Sequence, residues 1–199
     1  MTTSDTHLFS DQLLYVQWLK GVVRGVQFHE SDRTRAGFAC FALAQQHHES
    51  IVELSRLSLY GSAFSLVRVA FEAFVRGEWL FSGATDSEVD SFVDGKDPPR
   101  IDTLIASIEH QPEFRVGAIS NIKGRIWRAL CSYTHSGGLH VQRWQTKTAV
   151  EPIYTPQEAI EVVQFAELLG TLAALGTVRR STEPTLEQVI VEKFRPRLQ

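Results

Sequence analysis

The chain has 199 residues, is 43% hydrophobic and 22% charged, and carries a formal net charge of -3 with histidine neutral. A chain of that length suits one domain that buries about 70% of its unfolded surface, so no disulfide or metal staple is required. The composition excludes a wholly disordered chain and a strongly basic nucleic-acid coat protein, while leaving room for a local basic groove.

The apolar residues recur at helical spacing almost throughout, and alternating strand patterns are nearly absent. The expected fold class is therefore all-α: a single helical domain over 1–199, with about five main helices plus short ones and a core over 8–180. Residues 8–27 predict a first helix through Leu13, Val16, Leu19 and Val23. Residues 31–59 predict a long one, about 45 Å if unbroken, with Ser10 and Ser31 as candidate caps. Gly61-Ser62 offers a stop and a new cap. The segment 62–82 is apolar nearly all round, which predicts a central helix; Arg68, Glu72 and Arg76 interrupt it every four residues. An acidic and proline-containing hinge fills 83–99, ending in Pro98-Pro99. Helices are expected over 101–110 and 114–135, the second stopped by Ser136-Gly137-Gly138. Residues 139–155 read as an extended crossing or a short ribbon. Pro156 opens a helix that runs to about Arg180, whose Gly170, Ala173, Ala174 and Gly176 permit close packing. A last helix over 185–194 sits in a C-terminal appendage, 181–199.

Cys40 and Cys131 each lie in an apolar helical pattern outside any CxxC, as small buried thiols of a reducing cytoplasm do. The N-terminus has no basic region followed by an apolar core, so no signal peptide is expected. The longest apolar stretch is broken by Gln164 and Glu167 and is too short for a clear membrane span. These features predict a soluble, cytoplasmic protein.

Four constellations carry chemistry. Arg128 and His135, seven apart, fall about 20° out of register on one face of the 114–135 helix. Histidine moves protons near neutral pH, and arginine grips a phosphate with paired hydrogen bonds, which suits metal-free RNA cleavage. Arg125 adds phosphate affinity one turn earlier, and Tyr133 is a nearby donor. The plain alternative is a solvated Arg and a C-terminal capping His. Arg68 and Glu72 form either a buried structural pair or part of the wall around His135, with Glu72 orienting the imidazole or Arg128. His47-His48-Glu49 suggests a metal, but adjacent histidines point about 100° apart on a helix, so no metal and no cofactor is expected; His48 reads as a satisfied core histidine. His140, Arg143, Trp144 and Lys147 form a basic-aromatic cluster. It either stacks on and neutralises RNA or packs as a rim loop.

The Arg-x6-His at the end of a late bundle helix resembles the HEPN superfamily of all-helical domains. Ser65-Leu66-Val67-Arg68-Val69-Ala70-Phe71-Glu72 and Ser132-Tyr133-Thr134-His135-Ser136-Gly137-Gly138 are similar to segments of uncharacterised bacterial HEPN-like proteins of this length. The resemblance runs loosely over 31–180. It implies a metal-independent endoribonuclease of the toxin or phage-defence kind, with Arg128 and His135 catalytic and Tyr133, Arg125, Glu72 and Arg68 in support. It also implies a homodimer that brings two Arg-His sets into one cleft, with RNA as substrate and an antitoxin or other protein as partner. Ala129 stands where catalytic members carry a polar residue. That motivates a second reading, a non-catalytic module binding a nucleotide, RNA or a protein. A third is a purely structural interaction protein that pairs through the 114–135 helix.

Overall fold

The computed structural model describes residues 9–198. Among them nine α-helices follow in order: α1 Ser10–Val23, α2 Asp32–Arg56, α3 Tyr60–Ser82, α4 Asp86–Val93, α5 Ile101–Glu109, α6 Ala118–Thr134, α7 Gly138–Gln142, α8 Pro156–Arg179 and α9 Leu186–Phe194. Two 3-10 turns stand at Pro112–Phe114 and Arg195–Leu198. The only extended pairing among the described residues is one isolated antiparallel bridge between Gln145 and Val150. The chain is an all-α domain, the class its periodicity predicts.

The core forms where α2, α3 and α8 meet. Phe41 from α2, Phe71 and Trp79 from α3 and Leu169 from α8 are all buried there. Small residues make the approach close enough. A Cβ at Gly77 or at Gly176 would stand 2.5 Å from the Phe41 ring, so α3 and α8 both press on that ring through glycine. The apolar α3 is central as its sequence predicts, facing α2, α5, α6 and α8. Among the described residues α8 is the one helix long and apolar enough to cross a membrane, and 61% of its most apolar window is buried inside the bundle. Packing thus accounts for its hydrophobicity.

Helix boundaries depart from the sequence reading where serine takes a role expected of glycine. Ser31 does cap α2, its hydroxyl accepting from the Thr34 amide, and Thr155 caps α8 in the same way from Glu158, just before Pro156. Ser10, however, lies inside α1, whose cap is Phe9 with φ 74°. The break between α2 and α3 is not at Gly61-Ser62, which lie within α3. It is at Ser58, whose φ of 59° lets Leu59 N–H reach the Leu54 carbonyl at 2.8 Å. That six-to-one bond around a left-handed residue is a Schellman stop. The same device ends α6: Ser136 has φ 51°, and Gly137 N–H meets the Ser132 carbonyl at 2.7 Å. Gly137 and Gly138 then start α7, so 139–155 begins as a helix rather than an extended crossing.

A polar cluster is buried between α1, α2 and α8. Arg197, beyond α9, donates to Glu167 at 2.5 and 2.9 Å, pairs with Asp11 at 2.8 Å, and lies 4.4 Å from the Tyr15 ring centre. Burial pushes the Tyr15 phenol up to about 12, and its hydroxyl pairs with Thr171 at 3.0 Å. His48 lies alongside Gly170, where a Cβ would come within 2.9 Å of its Cγ. The expectation of a satisfied core histidine fails at one atom, since Nε2 is buried with no hydrogen-bond partner among the described residues. Burial first, and the Arg197 charge second, lower its pKa to about 3. Because the unfolded ring titrates near its ordinary value of about 6.5, the folded state excludes a proton that the unfolded state accepts. Stability should then be full above about pH 6.5 and fall by roughly 1.4 kcal/mol per unit down towards pH 3. Urea unfolding at stepped pH checks this, and a His48→Leu variant should show a flatter profile over that window.

Candidate functional site

One polar seam runs along the largely apolar α3. Gly61, Ser65, Arg68, Glu72 and Arg76 recur every three or four residues and so share a face. The α6 terminus and α7 close over it. The Ser65 hydroxyl stands 2.9 Å from both the Gly61 and the Tyr133 carbonyls, and the Thr134 hydroxyl returns a 3.1 Å bond to the Ser65 carbonyl. These bonds fix where α6 ends over α3, and therefore where its cap residue, His135, is held.

His135 is exposed, and its Nε2 lies 2.6 Å from Arg68 Nη1. A guanidinium only donates, so Nε2 accepts and the imidazole proton resides on Nδ1 in this arrangement. Arg68 is held from behind. Its Nε donates to Glu72 Oε1 at 2.8 Å, and Arg76 donates to Glu72 Oε2 at 2.8 Å. Glu72 is 13% exposed and carries both ion pairs. The Trp127 ring lies 4.8 Å from the Arg68 guanidinium and 4.7 Å from Lys123 Nζ. Glu72 therefore orients Arg68, and Arg68 touches the imidazole. Glu72 does not reach His135 or Arg128 directly.

Arg125 and Arg128 are exposed, with no ion-pair partner among the described residues. Arg128 shares the flank of α6 that leads to His135, but the hydrogen bond His135 makes goes to Arg68. Tyr133 forms a hub. Its carbonyl accepts from His140 Nδ1 at 2.8 Å, its hydroxyl from Arg143 Nε at 3.4 Å, and its ring meets Phe64 edge-on at 5.3 Å. Since that carbonyl can only accept, His140 Nδ1 is the donor. Its Nε2 faces Gly61, where a Cβ would stand 3.2 Å from both His140 Nε2 and Tyr154 Oη. The cluster over 140–147 is divided. Arg143 is committed to an ion pair with Glu158. Trp144 is half-exposed, and Lys147 lies free at the surface.

Sequence reasoning missed Ser65 as a donor, Trp127 as the wall beside Arg68, and Tyr154. The four-residue spacing of Arg68, Glu72 and Arg76 signalled the seam; its junction with His135, 67 positions away, had no local signal. Among the described residues no three His, Cys, Asp or Glu side chains gather as a metal site. Cys40 is buried and Cys131 half-buried, both as free thiols, and burial pushes the Cys40 thiol up to about 11.

The site is thus a surface histidine at a helix terminus, braced by an arginine that is itself locked to a carboxylate. A model of a family of unknown function, DUF6988, matches residues 41–197, a span that contains the whole seam, and the chain belongs to that family. No curated protein and no solved structure matches it.

Proposed function

We propose that the chain is a HEPN-like, metal-independent endoribonuclease acting at His135, in keeping with a toxin or phage-defence role and with pairing of two protomers. The observation that carries this reading is the braced pair: an exposed imidazole whose one hydrogen-bond partner is an arginine held by Glu72. RNA cleavage through the 2′-hydroxyl needs a group that takes one proton, a group that returns one, and cations on the crowded phosphorane. Arg128 and Arg125, free on the flank leading to His135, suit a phosphate docking there. Arg68 suits two tasks in turn. In the free protein it occupies His135 Nε2. When it rotates to a phosphate oxygen it releases that nitrogen as a base, and Nδ1–H remains a donor.

The test is incubation of mixed RNA with the protein and with His135→Ala, both in EDTA. Cleavage by the parent alone supports the proposal, and equal cleavage by both or by neither sinks it. One observation favours a second reading. Arg68 satisfies Nε2 in the free protein, which with Ala129 beside Arg128 suits a module that binds RNA or a protein without cutting. RNA retention with no cleavage by the parent would select it.

A further inference from the structure

Beside Arg68, a cleft of about 390 Å³ opens between α3, α5, Trp127 of α6 and the Pro98-Pro99 link. Arg68, Arg76 and Arg100 project into it. Glu72 pins the first two side by side, so little side-chain freedom remains to be lost when an anion arrives. Arg100 is exposed, with no ion-pair partner among the described residues, and keeps all five of its N–H donors. The carboxylates in the wall are largely spoken for. Glu72 serves the two arginines, and Asp102 pairs with Lys123 at 2.8 Å. The lining sets three arginines against three carboxylates, of which Glu72 and Asp102 are already paired and, among the described residues, only Asp97 is not, while Lys123 stands beyond the cleft on Asp102. The Trp127 ring is already flanked by Arg68 and Lys123, so it braces cations instead of offering a face to a base.

We infer that this cleft binds a backbone phosphate of a single RNA strand, next to the phosphate at His135, with Arg100 and Arg76 as its contacts and Arg68 shared between the two positions. The inference rests on the ribonuclease reading of His135, and it moves the strand's path away from the 140–147 cluster, where Arg143 is tied to Glu158. It calls for no base recognition, because the lining supplies guanidinium donors and no open aromatic face.

The test uses a fluorescein-labelled oligoribonucleotide with 2′-O-methyl groups, which binds but cannot be cut, titrated by anisotropy over a range of KCl. Arg100→Gln should weaken binding about ten-fold and lower the slope of log affinity against log salt by roughly 0.7, the loss of one single-strand phosphate contact. Arg76→Gln should do the same, with circular dichroism to confirm folding; Arg100 is exposed, so its variant keeps the test valid if Arg76→Gln fails to fold. Unchanged affinity and slope in Arg100→Gln overturns the inference. Displacement of the strand by inorganic phosphate at equal ionic strength also overturns it, by identifying a free-anion site. Arg100-dependent binding without cleavage of natural RNA leaves the cleft standing and removes the nuclease reading. Cleavage of natural RNA with Arg100-independent binding does the reverse.

Discussion

On the proposed ribonuclease reading, replacing His135 by Ala should lower RNA cleavage by about 10²- to 10⁴-fold, the range that a positioned proton-transfer group contributes. Stability should change little, because His135 is exposed and its one side-chain partner, Arg68, keeps its bond to Glu72. The more informative variant is Arg68→Lys. An ammonium cannot span Glu72 and a phosphate in the fork geometry of a guanidinium, so the charge survives while the bracing is lost. Cleavage should fall in that variant too, and the pH profile should change shape, since Nε2 is no longer occupied by a fixed donor. A rate that falls with an unchanged profile would assign Arg68 to phosphate binding alone. Single-turnover measurements across pH 5 to pH 9 distinguish the outcomes.

The second large effect concerns stability, at the opposite end of α3. Glu78 is only 5% exposed and faces Arg180, which donates to its Oε2 at 2.8 Å and lies 4.6 Å from the Phe81 ring centre. Burial raises the Glu78 carboxyl above its ordinary range, and Arg180 offsets part of that rise. Arg180→Ala would leave the carboxylate buried and uncompensated, which costs about 3–5 kcal/mol. For a domain of this size that corresponds to a fall in Tm of roughly 6–20 °C. The sign with pH is fixed by the raised folded pKa: the folded state holds the proton more tightly than the unfolded one. Acidification towards the folded pKa should therefore recover part of the loss in Arg180→Ala. A companion Glu78→Gln/Arg180→Ala double variant should be more stable than Arg180→Ala at neutral pH. Thermal unfolding at pH 7.5 and pH 5 reads both.

How far the sequence foretold this arrangement depends on the range of each interaction. Helical periodicity is local, so α2, α3, α6 and α8 lie close to their predicted spans, and Pro156 with Thr155 marks the start of α8. The stops were harder. The rule that a left-handed cap is glycine points to Gly61 and Gly137, while the chain turns at Ser58 and Ser136. Serine tolerates that conformation here because backbone bonds on either side close the turn, and nothing in composition shows it. Arg128 and His135 could be paired from spacing, since both belong to one helix end. The partner His135 takes, Arg68, comes from another helix through tertiary packing. Arg100 carried no pattern at all: it follows two prolines in a connecting segment, and only the fold turns it towards Arg68 and Arg76.

Glu167 shows what such long-range joining means for handling the molecule. Its carboxylate, 5% exposed, depends on the guanidinium of Arg197, two positions before the last residue of the sequence. A tryptic cut after the exposed Lys193 (the Arg195–Pro196 bond resists trypsin) would remove that guanidinium along with its contacts to Asp11 and Tyr15. The clipped product should then melt well below the intact chain, by a margin comparable to losing the partner of a buried ion pair. Arg197 thereby adds a polar tie, through Asp11 and Tyr15 of α1 and Glu167 of α8, to the apolar cluster that packs α1 and α9 on α8. Limited trypsinolysis followed by a thermal scan of the trimmed species reads the loss of that tie.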